Sequence, residues 1–138
     1  MYKRQEITYN AQGSGWSGRL FADTSKGKLD NAGSLPLQPA TRFGASVGYR
    51  EGAWRGGLSL VHANGQDRLA SFETTPTASY NQVNANFSYT QKLGGQDVTW
   101  FVLAKNLLND EIRMSTSVLK DISPLPGRNI VLGVRTKF

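Results

Sequence analysis

The chain has 138 residues, with 16 Lys and Arg against 10 Asp and Glu and a formal net charge of +6. That length suits one domain of ordinary size. Charged residues reach only 19% and apolar residues 38%, so the bulk is Gly, Ser, Thr, Asn and Gln, a mixture that suits strands and turns better than helices. Aromatics at 10% exceed what an unfolded chain usually carries. Having no Cys, the chain excludes disulfide scaffolds, Cys-ligated zinc and thiol catalysis. No segment approaches a transmembrane helix, the longest apolar run being Trp100-Phe101-Val102-Leu103-Ala104. The first fifteen residues lack the apolar centre of a secretory signal, so a literal reading is cytosolic.

Period-two alternation recurs along the chain and predicts strands. A partial strand is expected over about 6–10, followed by a short turn at 11–15 and a less regular strand over about 16–28. After a long connection at 29–40, residues 41–50 set Phe43, Ala45, Val47 and Tyr49 against Arg42, Gly44, Ser46, Gly48 and Arg50. A tight turn at Glu51-Gly52 leads into a strand at 54–63, and a long connection fills 64–82. Residues 83–90 alternate most cleanly, with Val83, Ala85, Phe87 and Tyr89 opposite Asn84, Asn86, Ser88 and Thr90. The turn at 94–96, a strand at 97–107 and a third long connection at 108–128 come next. The last strand sets Ile130, Leu132, Val134, Thr136 and Phe138 opposite Asn129, Val131, Gly133, Arg135 and Lys137.

These are about seven antiparallel strands in an up-and-down meander, an all-β fold with short turns at one end and long loops at the other. Strands of about 10 residues cross a bilayer at a tilt. Alternation is shared by soluble barrels, whose apolar face points inward, and membrane barrels, whose apolar face meets lipid. Aromatic placement favours the membrane: Tyr49, Trp54, Tyr89, Trp100 and Phe138 lie near the short-turn ends of their strands, as an interfacial girdle does. Arg42, Arg50, Lys92, Lys105, Arg135 and Lys137 fall on polar faces, costly against lipid and easy in a hydrated lumen.

The C-terminal third resembles the end of a TonB-dependent outer-membrane receptor. Asn106-Leu107-Leu108-Asn109-Asp110-Glu111 resembles that family's "NLFDKxY" signature, with Leu108-Asn109 in place of Phe-Asp and Ile112 in the usual Tyr region. Pro126-Gly127-Arg128-Asn129, at the end of LKDISPLPGRN, resembles the "PGR" element that introduces the last strand. The ending on Phe138 resembles the signal read by the barrel-assembly machinery. Upstream, Gly33-Ser34-Leu35-Pro36-Leu37-Gln38-Pro39 with Arg42-Phe43-Gly44 resembles the family's "LPxxPxxRxG" stretch. Met1-Tyr2-Lys3-Arg4-Gln5 resembles translated sequencing-adapter DNA and is set outside the fold as a non-native leader, leaving 6–138 as barrel.

The resemblance implies the C-terminal portion of a 22-stranded transmembrane barrel whose plug, TonB box and signal lie beyond this chain. It implies an active transporter and no enzyme, in the outer membrane of a Gram-negative bacterium, without a cofactor. The cargo would be a scarce nutrient such as a ferric siderophore or another metal chelate, including zinc. The implied partners are the TonB complex acting through the plug, the barrel-assembly machinery at Phe138, the lipid bilayer and lipopolysaccharide. Loops 64–82 and 108–127 would carry ligand contacts. The alternatives are a small passive porin-like barrel and a soluble lipocalin-like carrier.

No constellation of catalytic residues competes with that reading. His62 is the only His, and zinc wants three or four ligands. Asp67, Glu73, Asp110, Glu111 and Asp121 are expected to be scattered, solvated loop charges. Gly13-Ser14-Gly15 and Arg55-Gly56-Gly57 open no helix and cradle no phosphate. The dispersed Lys and Arg form no stripe interleaved with stacking aromatics, so nucleic acid is not an expected partner.

Overall fold

A computed structural model describes residues 2–10, 15–29, 33–34, 36–70, 73 and 75–137. Seven strands form one antiparallel sheet: β1 (Tyr2–Asn10), β2 (Gly15–Ser25), β5 (Arg42–Glu51), β6 (Trp54–Ala63), β7 (Tyr80–Leu93), β8 (Gln96–Lys105) and β9 (Asn129–Lys137). Two-residue strands β3 (Lys28–Leu29) and β4 (Gly33–Ser34) pair with each other inside the first long connection. Within the large sheet every strand pairs with its neighbour in sequence, so the topology is a plain meander. No helix occurs among the described residues.

Two tight turns are set by glycine. Gly52 has φ +52° in the two-residue turn from β5 to β6, and Gly94 and Gly95 have φ +58° and +83° between β7 and β8. Two-residue hairpins need positive φ at the first or at both central residues, which glycine adopts without steric cost. Each turn fixes the register of its hairpin, Glu51 opposite Trp54 and Leu93 opposite Gln96.

Strand β1 begins at Tyr2, not near Glu6. Residues Tyr2 to Gln5 pair with Ser25 to Ala22, continuing the ladder that Glu6 to Asn10 form with Phe21 to Ser17. The alternation reaches this far: Arg4, Glu6 and Thr8 share one face, where the Arg4 guanidinium contacts the Glu6 carboxylate at 2.7 Å. Elsewhere the boundaries move by a few residues. Strand β7 extends to 14 residues, reaching past 83–90 at both ends, and β8 stops at Lys105.

The register separates two faces. On one, Trp16, Tyr49, Trp54, Tyr89 and Trp100 follow one another across β2, β5, β6, β7 and β8 toward the short-turn end. Trp16 packs on Tyr49 at 4.8 Å between ring centroids and Trp54 on Tyr89 at 4.3 Å. Leu20, Val47, Leu58, Phe87 and Leu132 extend this face, and all stay exposed. The opposite face carries Thr8, Ser17, Ser46, Ser59, Asn84 and Asn86. The buried apolar cluster is small, Ala63, Tyr80 and Ile112, and sits at the long-loop end. Ala63 and Tyr80 oppose one another in the ladder, on the polar face.

Candidate functional site

The features with functional geometry are the polar face and the loops that pack over its end. A hollow of about 440 Å³ lies on this face, lined chiefly by Thr8, Asn10, Ser17, Ser46, Ser59 and Asn84. Hydroxyls, amides and the Arg19 guanidinium are its polar groups, set among glycines and apolar surface. Two aromatic rings also lie on this face, each filling the space that a Cβ would need on a glycine of the neighbouring strand: Phe21 at Gly44 and Phe101 at Gly133. Guanidinium groups stack above them, Arg19 at 5.6 Å from the Phe21 centroid and Arg135 at 5.9 Å from that of Phe101. Toward the loops, Asp23 is 3% exposed and takes two hydrogen bonds from Arg42, at 3.1 and 2.8 Å.

Three long connections converge at this end. Glu73 is the junction. Its Oε2 accepts the Ala70 N–H at 2.9 Å, and its Oε1 accepts the Lys120 ammonium at 2.8 Å. Both side chains of the Glu73–Lys120 pair are 6% exposed. These contacts hold the Glu73 carboxyl below its ordinary value of 4.5: the Ala70 N–H contributes most and the hydrogen bond from Lys120 next, against the cost of desolvation. Other ties repeat the pattern. Ser115 Oγ accepts the Ala40 N–H at 3.2 Å, and Gln66 Nε2 donates to the Gln38 and Pro39 carbonyls at 3.3 Å each.

The residues singled out by the resemblance form the two feet of the last long loop. Asn106 is 2% exposed with φ +50°, a conformation Asn tolerates better than most residues. Its Nδ2 donates to the Asp110 carbonyl at 2.9 Å and the Pro126 carbonyl at 3.3 Å, while its Oδ1 accepts the Asp110 N–H at 3.0 Å. Asp110 Oδ2 accepts the Asn81 N–H at 2.7 Å, and Leu107 N–H donates to the Val83 carbonyl. Asn109 Oδ1 accepts the Arg128 N–H at 2.9 Å, and a Cβ on Gly127 would sit 2.8 Å from that oxygen. Asn129 opens β9 opposite Lys105. The fold thus brings Asn106, Leu107, Asp110, Pro126, Gly127, Arg128 and Asn129 together as a clamp, and Phe138 lies outside the described residues.

No protein-family model matches this chain.

Two of the acidic residues are not free solvated charges. Glu73 is sequestered under the loops, and Asp110 caps the start of β7, because each meets donors from segments distant in the chain. His62 lies near the end of β6 on the apolar face, its Nδ1 2.8 Å from Asn81 Oδ1 and its Nε2 3.0 Å from Asn64 Oδ1. Among the described residues, no three His, Asp or Glu side chains gather into a metal-ligand set. Sequence reading missed Ile112, 1% exposed, as the anchor of the loop core. A lone apolar residue between Glu111 and Arg113 carries no periodic signal. Beyond the anchor, Val118 and Ile122 are 79% and 78% exposed at the far part of the same loop.

Proposed function

We propose that this chain is the C-terminal part of the wall of a TonB-dependent outer-membrane receptor. The observation that carries the reading is the division of the sheet into two faces. A bare apolar face bears a row of Trp and Tyr at one end, and a polar face is overlain by long loops at the other. A lipid-facing wall wants the first, and a hydrated lumen wants the second. In a lipocalin-like carrier the apolar face would be the enclosed one and the loops would close over it. Here the buried loop core, through Ala63 and Tyr80, lies on the polar side.

On this reading, β1 and β9 continue into neighbouring strands of a 22-stranded wall, since unpaired backbone is not tolerated in hydrocarbon. The short turns are periplasmic and the loops extracellular. Exposed Val118 and Ile122, with the hydroxyl and amide lining of the lumen face, offer contacts to a nutrient chelate as it is captured and passed inward. Energy comes from the inner-membrane TonB complex acting on a plug. Phe138 serves the assembly machinery, and the chain does no covalent chemistry.

Sequencing the genomic DNA upstream of the codon for Glu6 tests this directly. The expected result is an open frame running into further alternating strands, a plug, a TonB box and an export signal. Deletion of that gene then slows growth when chelated metal is the limiting nutrient. A stop codon and a ribosome-binding site directly before Met1 would sink the receptor reading.

A further inference from the structure

We infer that Asn64 is a site of spontaneous deamidation, with His62 assisting the reaction. Asn64-Gly65 is the only Asn-Gly pair in the chain, and both residues are exposed just beyond the end of β6. Glycine after asparagine leaves the attacking backbone nitrogen unshielded, because it has no side chain. The amides on either side are engaged: Asn64 N–H donates to the Thr41 carbonyl and Gln66 N–H to that of Thr77, both at 2.9 Å. Among the described residues, Gly65 N–H, between them, makes no such backbone bond.

The electrophile is held as well. His62 Nε2 lies 3.0 Å from Asn64 Oδ1; with Nε2 carrying the ring proton, Nδ1 accepts from the Asn81 amide 2.8 Å away, turned to present its Nδ2. An N–H donated to the amide oxygen draws electrons from Cγ and stabilises the oxyanion formed on attack. In the step itself, Gly65 N gives its proton to solvent base and bonds to Asn64 Cγ. The Cγ–Nδ2 bond then breaks, and ammonia leaves with a proton from water. Water opens the resulting succinimide to an aspartyl or isoaspartyl residue, so the sum is the amide plus water giving carboxylate plus ammonium. The product places a negative charge beside His62 at the rim where the long loops begin. The isoaspartyl form also inserts a methylene into the backbone next to the Asn64–Thr41 hydrogen bond.

The test is incubation of the full-length protein that carries this chain at mildly alkaline pH, with peptide mass spectrometry and isoaspartyl-specific methylation as readouts. Conversion is expected first at Asn64, ahead of Asn84, which precedes Ala. Gly65→Ala should suppress it, and His62→Leu should slow it roughly tenfold, the rate equivalent of one hydrogen bond lost in the transition state. Leucine suits position 62 because that side chain lies on the apolar face, and strand content by circular dichroism checks each variant's fold. Conversion no faster than at Asn84 would overturn the site. An unchanged rate in His62→Leu would overturn the assistance. Should that variant misfold, Asn81→Ala, which frees the far side of the ring, must slow conversion too, and an unchanged rate there overturns the assistance equally.

Discussion

At the residue scale, one asparagine and one ion pair hold the loops, and each makes a measurable prediction. Asn106 uses every polar atom of its side chain to join the start of the last loop to its end. Asn106→Ala removes two donors and an acceptor from a buried site and forces alanine into positive φ. It should cost about 1–3 kcal/mol, read as a lower urea midpoint of the protein that carries this chain. Asn106→Gly relieves the backbone and should lose less. Glu73 gives a pH dependence. Its carboxyl titrates below 4.5 when folded and near 4.5 when unfolded, so its stabilisation is complete above that value. As pH falls through the lowered folded value, the carboxylate takes up a proton and the tie to Lys120 is lost. Hydrogen exchange should show loop 106–128 opening in acid below pH 4.5 in the native chain. In Glu73→Gln the loop should be looser at neutral pH and indifferent to that titration. The pair was hidden from sequence reading because 47 residues separate its members and Glu73 stands in no motif.

At the element scale, the two-residue turns and clean alternation made most strands legible, since a hairpin's register follows from its turn. Strand β2 looked irregular because Phe21 stands on the polar face. Its ring is accommodated by lying over Gly44 on the next strand, as Phe101 lies over Gly133. Glycine weakens a strand by itself, so these positions make sense only as beds for the rings. Gly133→Val should displace Phe101 and destabilise the sheet by about 1–3 kcal/mol, seen in the urea midpoint. Gly18→Ala is the contrasting case. A Cβ there meets nothing nearer than the Ser46 carbonyl oxygen at 4.0 Å, so the change should be neutral or stabilising by up to about 1 kcal/mol.

At the scale of the whole molecule, a membrane wall and a soluble carrier differ in which face of the sheet is turned outward. Adjacent residues of β6 decide it: Leu58 belongs to the apolar face and Ser59 to the polar one. In a membrane wall, Leu58→Arg should impair folding into vesicles by about 2–4 kcal/mol, while Ser59→Arg is tolerated in a wet lumen. Equal tolerance of both changes, or greater damage from Ser59→Arg, would reverse the orientation and favour a soluble carrier. The aromatic row strengthens the expectation because its members, far apart in sequence, arrive at one level of one face.

The sequence alone determined the strands, their order and their two faces, because side chains alternate with period two and tight turns leave neighbours little choice of partner. The family resemblance also singled out Asn106, Asp110 and the 126–129 segment, as separate elements, without revealing that they meet. Only the tertiary structure decided that. The clamp, the burial of Glu73 and Ile112, and the choice of the polar face for the loop core depend on contacts across dozens of residues. Irregular loops carry no period, so their partners are settled only when the sheet has brought the loop ends together.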